Sequence, residues 1–226
     1  MASAKAPSAM VVVNGDDTHH DLLAAATVFQ QLGIEAGFAT RKAAGMHRFV
    51  DARQETADAS VYLFYTSGGL FSTEQQQALS DAVASGKGVV ALHGSNIMGW
   101  QGDGLDEKDR PLYDLIGNRY LSHGPGHHEG RHLIEIVAEH PVTAGVESFE
   151  LFDEYYEFEL ADENITVLAE RHRADGVVIP VMYAREVGQG RVVYLALGHD
   201  LRAWGEPSFR QLVTQALSWA SGRDNE

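Results

Sequence analysis

Three of the most apolar runs in the sequence lead into histidine. Residues 10–14 (MVVVN) precede His19-His20-Asp21, residues 88–92 (GVVAL) enter His93-Gly94-Ser95, and residues 191–197 (RVVYLAL) stop at Gly198-His199-Asp200. Neutral imidazole is the commonest protein metal ligand, and two or three imidazoles with a carboxylate make an open site for a divalent ion such as Zn, Mn or Ni. The same rings serve general acid–base chemistry, because their pKa lies near neutrality. A third reading is a strand-end histidine held only by hydrogen bonds. The chain has no cysteine, which excludes disulfides, thiolate metal sites and a cysteine nucleophile. Ser95 is the nearest hydroxyl to His93 but lies two residues beyond it, a weak basis for a serine hydrolase.

Another histidine pattern has different prospects. His128-Glu129-Gly130-Arg131-His132 spells H-E-x-x-H, whose zinc chemistry requires a helix that puts both rings on one face. Gly124-Pro125-Gly126 precedes it, Gly130 interrupts it and a strand-like alternation follows, so a loop is expected instead. Such a loop either covers a ligand with His127 and His128 or is simply solvated. Trp100, a few residues past His93, either stacks on a sugar ring or packs; Gly68-Gly69 either approaches a ligand with backbone amides or forms a plain turn.

The elements that must carry these residues alternate β-α-β. Residues 10–14 read as a buried strand, and Thr18-His19-His20-Asp21 has capping-box form. Leu22, Ala26, Phe29 and Leu32 then recur at helical spacing until Gly33, the expected stop. Strands are expected at 36–40, 61–65 (VYLFY) and 88–92, with a helix capped by Ser72 between the last two. The second half is less regular, with strands expected at 132–138, 165–170, 177–182 and 191–197. Phe209, Leu212, Val213, Ala216, Leu217 and Ala220 form the apolar stripe of a closing helix between Pro207 and Gly222. This pattern predicts an α/β three-layer sandwich with a mostly parallel central sheet, whose ligands bind at the carboxyl ends of the strands.

Nothing in the 226 residues reads as a linker or repeat, so residues 10–222 are expected to form one domain, with 1–9 a disordered leader and 223–226 a tail. The formal charge of −15 argues against nucleic acid and anionic membrane as partners, and the apolar runs are too short for a membrane span. Together with the missing cysteines, these features point to the cytoplasm.

Several short motifs in fixed order add a resemblance. They are His20-Asp21, the run from Gly88 to Gly94, Tyr120-Leu121-Ser122-His123, His140-Pro141-Val142-Thr143 with Gly145, Asp153-Glu154-Tyr155, and Gly188-Gln189-Gly190-Arg191-Val192 leading to Leu197-Gly198-His199-Asp200. In this set the chain resembles the ThuA-like (trehalose utilisation) family, of flavodoxin-like fold related to class I glutamine amidotransferases. Those amidotransferases place a nucleophilic cysteine on a tight turn after one strand and a histidine after a late strand. The resemblance puts His93 and His199 at these positions, which excludes a glutaminase thioester mechanism by residue type.

The resemblance also implies a place in disaccharide or keto-sugar catabolism, as a hydrolase- or lyase-like enzyme assisted by a divalent metal. His93, Glu154 and His199 would form the catalytic centre, His93 and His199 would hold the metal, and His20, Trp100, His123 and Tyr155 would bind substrate. Asp200 would either orient His199 or cap the next turn. The partner is then a small carbohydrate, and a homo-oligomer is compatible with the sequence. A non-catalytic sugar-binding or interaction module on a degenerate amidotransferase scaffold is the alternative.

Overall fold

The computed structural model describes residues 6–15, 19–51, 54–67, 71–98, 104–161 and 164–223. The first half is built as the alternation predicts. Strand β1 (Ser8–Gly15) leads to α1 (Leu22–Glu35), β2 (Ala39–Ala44), the short α2 (Gln54–Asp58) and β3 (Val61–Ser67). Then α3 (Thr73–Ala84), opened by a complete capping box between Ser72 and Gln75, precedes β4 (Gly88–Leu92) and the seven-residue α4 (Arg110–Ile116). The second half is strand-rich: β5 (Asn118–Ser122), β6 (Glu129–Ile136), β7 (Phe149–Glu154), β8 (Glu157–Leu160), β9 (Thr166–His172), β10 (Val178–Val187) and β11 (Gly190–Leu195). The one-turn α5 (Leu201–Trp204) and α6 (Pro207–Ala220) close the fold.

Several expectations shift. β1 begins at Ser8, inside the stretch 1–9 expected to be a leader, because Ser8 and Ala9 already pair with Ala39 and Thr40. The cap of α1 is Asp21, whose side chain accepts from the Ala24 amide, while Thr18 lies outside the described residues. Gly33 does not end α1. A Cβ there would meet the Thr40 side chain at 2.5 Å, so the glycine lets α1 lie close on β2, which starts three residues later than expected.

The central sheet has nine strands in the order β2-β1-β3-β4-β11-β10-β9-β6-β7, with β5 and β8 forming a separate pair. Strands β2, β1, β3, β4 and β11 run parallel, and the rest extend the sheet antiparallel. β3 and β4 are buried along their whole lengths because helices cover both faces of this parallel half, α1 and α6 packing together and α3 against α4. This is the three-layer sandwich predicted. In α6, Phe209, Leu212, Val213, Ala216 and Leu217 are all buried, as its stripe requires.

The antiparallel half bends back. β6 joins β9 only through Glu135 and Ile136, and beyond that point the β6–β7 hairpin is free to leave the sheet. In a flat sheet β7 would lie four strands, roughly 19 Å, from β11. Instead Asp153 of β7 accepts the Gly198 amide just past β11 at 2.6 Å, so the far edge curls over the carboxyl end of the parallel strands. No helix among the described residues is long and apolar enough to cross a membrane.

Candidate functional site

The turn after β4 carries the backbone strain of the site. His93 has φ 46°, the only non-glycine residue with positive φ among the described residues. A left-handed histidine costs about 1 kcal/mol or more and persists only where its surroundings hold it. Here the Tyr194 hydroxyl donates to the His93 carbonyl at 3.1 Å, and His93 Nδ1 donates to the Ala196 carbonyl at 3.0 Å. Gly94 supplies the missing side chain: a Cβ there would lie 2.7 Å from the Thr66 carbonyl oxygen. Ser95 is buried, its hydroxyl donating to the Phe64 carbonyl at 3.1 Å and accepting from the Thr66 amide at 3.4 Å, so it is committed to the turn.

Because a carbonyl can only accept, His93 carries a hydrogen on Nδ1 and turns Nε2 inward to the centre. Nε2 lies 3.2 Å from His199 Nδ1 and 3.3 Å from Glu154 Oε2, and the last two are themselves 3.3 Å apart. His20 completes the group, and one ligand atom from each of the four residues falls within 4.8 Å of all the others. The His20 ring is fixed through Nδ1 by the Ser67 hydroxyl at 2.8 Å, while its buried Nε2 has no partner.

Two buried groups hold the far side of this centre. Asp153, 2 % exposed, accepts the amides of Gly198, His199 and Glu154 at 2.6, 2.9 and 3.0 Å, tying β7 to the turn after β11. The Tyr65 hydroxyl donates to the His199 carbonyl at 2.6 Å. Sequence reasoning quoted Asp153 within a motif but gave it no role; strand alternation was the signal available, since neighbours on a strand face opposite ways and only Glu154 reaches the histidines.

Electrostatics follow from burial. Desolvation, reinforced by His93 and His199, pushes the His20 imidazole down to about 3, and it lowers His199 as well. Burial alone would raise the Glu154 carboxyl, but the His93 hydrogen bond and the surrounding imidazoles outweigh it and hold the group at about 2. Burial raises Asp153 to about 6 against the pull of His93 and its three amides.

The other expected site residues separate. His123 stands at the rim, its Nδ1 donating to the Tyr155 carbonyl at 3.0 Å. Tyr155 does not face the centre: its ring packs on His132 at 5.0 Å and beneath the Arg171 guanidinium at 4.9 Å. The next residue, Tyr156, takes that place, with its ring 4.2 Å from the His93 ring. Asp200 caps α5 and pairs with Arg202, which also reaches Glu129, so it serves the turn and not the His199 ring. The H-E-x-x-H stretch, expected as a loop, is strand β6 from Glu129 on, with His128 just before it against His123 and His132 within it against Tyr155. Trp100 and Gly68-Gly69 lie outside the described residues.

The family model for ThuA, trehalose utilisation, matches residues 9–220. The chain belongs to the ThuA family. Two solved structures of putative ThuA-like proteins share the ThuA chain's architecture. One, from Parabacteroides merdae, is 16 % identical, covers 97 % of this chain and 92 % of its own, and has a TM-score of 0.76. The other, from Bacteroides uniformis, is 18 % identical over 100 % and 96 %, also with a TM-score of 0.76. A β-galactosidase from a Rahnella species is similar over 94 % of the ThuA chain but only 31 % of its own, with 15 % identity and a TM-score of 0.62. At these identities the likeness is one of fold. No curated protein sequence matches the chain. The glutamine amidotransferase-like fold therefore stands as expected, and ThuA membership connects the chain with sugar metabolism.

Proposed function

We propose that this ThuA protein is a carbohydrate-active enzyme, a hydrolase or lyase acting on a disaccharide or keto-glycoside with the help of a divalent ion. The observation that carries the reading is the triangle of His93 Nε2, His199 Nδ1 and Glu154 Oε2, with sides of 3.2–3.3 Å. Two ring nitrogens and a carboxylate oxygen facing one another at that distance require a shared proton or a cation between them. Ligands at about 2.0 Å around a tetrahedral ion are separated by roughly 3.3 Å, so the donors fit zinc without moving. With three donors on the ion, and His20 beside them within 4.8 Å but left for the substrate, the fourth position stays open, as in catalytic rather than structural sites.

When bound, such an ion polarises a substrate oxygen or lowers the pKa of a bound water. The protein's own groups supply the rest. His93, His199 and Glu154 would hold the ion, and the ionised Glu154 provides the negative charge. His20, kept neutral by burial, offers its unpartnered Nε2 to hydrogen-bond and orient a substrate hydroxyl or the attacking water. Asp153 and Tyr65 keep His199 in place, and Tyr156 walls the His93 side against solvent.

Elemental analysis after dialysis should find about one metal per chain, and His93→Ala should lose most of it. Loaded protein should turn over trehalose or its 3-keto derivative. Metal-free protein whose melting temperature does not respond to added zinc, together with no turnover, would overturn the reading.

A further inference from the structure

From the His93 elbow a row of rings leads outward to the surface. Tyr156 lies 4.2 Å from His93, Tyr120 is 4.7 Å from Tyr156, and His123 is 5.5 Å from Tyr156. His128 then stacks on His123 at 4.7 Å with an interplanar angle of 23°. Exposure grows along the row: His93 and Tyr156 are buried, Tyr120 and His123 half-buried, and His128 exposed.

The outer rings are held in place. The His123 Nδ1–H is spent on the Tyr155 carbonyl, and the Tyr155 amide donates to the His128 carbonyl at 2.8 Å. The intervening loop turns at Gly124 (φ 76°) and Gly126 (φ 95°), which brings the two imidazoles face to face. At Gly124 a Cβ would also meet the Glu157 carboxylate at 2.5 Å. With Nδ1 committed as donor, the His123 Nε2 is an acceptor, and its partner must be a donor such as a hydroxyl.

We propose that this row is a second sugar-ring subsite, which grips the unit on the far side of the bond placed at the His93–His199–Glu154 centre. Ring faces meet the apolar C–H face of a pyranose, and His123 Nε2 accepts one of its hydroxyls. The chemistry selects a neutral glycoside of two or more units over a monosaccharide, and over a sugar phosphate, whose anion a chain of formal charge −15 repels. The proposal rests on the sugar-directed reading of the centre.

The test is calorimetric titration of the zinc-loaded chain with trehalose, methyl α-glucoside and glucose 6-phosphate, repeated with His128→Ala and with the His123→Gln, His128→Ala double variant. Wild type should bind trehalose at least about tenfold tighter than the monosaccharide and either sugar tighter than the phosphate. The double variant should lose the trehalose advantage while monosaccharide affinity, zinc content and melting temperature stay unchanged. Equal binding of the two neutral sugars by wild type, tighter binding of the phosphate, or a loss in the double variant that strikes both sugars alike, overturns the subsite and leaves the centre's reading intact. Binding of neither neutral sugar by zinc-loaded wild type overturns both.

Discussion

Replacing Gly94 by alanine tests the elbow with a single carbon. The glycine is not in the left-handed region, so the substitution adds bulk without backbone strain of its own. The new Cβ would stand 2.7 Å from the Thr66 carbonyl oxygen, about 0.8 Å inside the ~3.5 Å at which such atoms attract. Ile97 Cδ1 at 3.4 Å and Ser67 Cα at 3.7 Å close the other sides. Overpacking costs about 1–3 kcal/mol, and the upper end applies because the obstacle is the backbone of β3, buried throughout. For a chain of this size about 3 kcal/mol corresponds to a fall in melting temperature of roughly 6–12 °C. Any relief of the clash displaces His93, so zinc affinity should drop at least about tenfold. Urea unfolding followed by circular dichroism, and zinc competition against a chromophoric chelator, read the two effects separately. Gly205→Ala, whose Cβ would meet only the Leu201 carbonyl oxygen, at 3.3 Å, is the control, expected within about 1 kcal/mol of wild type. If Gly94→Ala matches that control in stability and keeps full zinc affinity, the elbow is not pinned against Thr66 and the argument fails.

Asp153→Ala strands three amides, those of Gly198, His199 and Glu154, without an acceptor. The loss should be about 3 kcal/mol in urea unfolding, accompanied by weaker zinc binding; a loss below about 1 kcal/mol would show that the turn does not depend on the carboxylate. Zinc affinity should also resist acid. Protons compete with a metal only below each ligand's pKa, and of the three proposed ligands Glu154 sits at about 2 and His199 below its ordinary value. Between pH 7 and 5.5 affinity should therefore fall by less than about tenfold, whereas a fall approaching a hundredfold, the behaviour of two ordinary imidazoles, would refute the assignment.

The parallel half was legible because its strands are buried on both faces and so appear as unbroken apolar runs, as in VYLFY and GVVAL. The histidines followed from the ends of those runs. The half that supplies Glu154 was harder to see. β7 reads FELFDE, a mixed string whose residues alternate between partly and fully buried, and α4 and β5 are too short to print a period. Glu154 was reached through a motif, which also put Tyr155 among the expected substrate-binding residues, whereas the ring beside His93 is that of Tyr156. The reason is local: Glu154 ends its strand, so the alternation that would have ranked the following residues is broken there. The cap of α1 was misplaced for a related reason, since Thr18 and Asp21 both suit the role and only the Ala24 amide decides between them.

The curling of the β6–β7 hairpin has a consequence for how the chain acquires its function. His20 comes from the first strand's exit, Glu154 from a hairpin anchored by two residues, and His199 from the last strand's exit, with 106 positions separating His93 from His199. During synthesis the group stays incomplete until His199 has emerged, so no nascent fragment that ends before it offers the complete pocket. Such non-local assembly is slow relative to forming local helices. An ion captured only by the finished architecture then acts as a seal on maturation, favouring chains that have closed over those still folding.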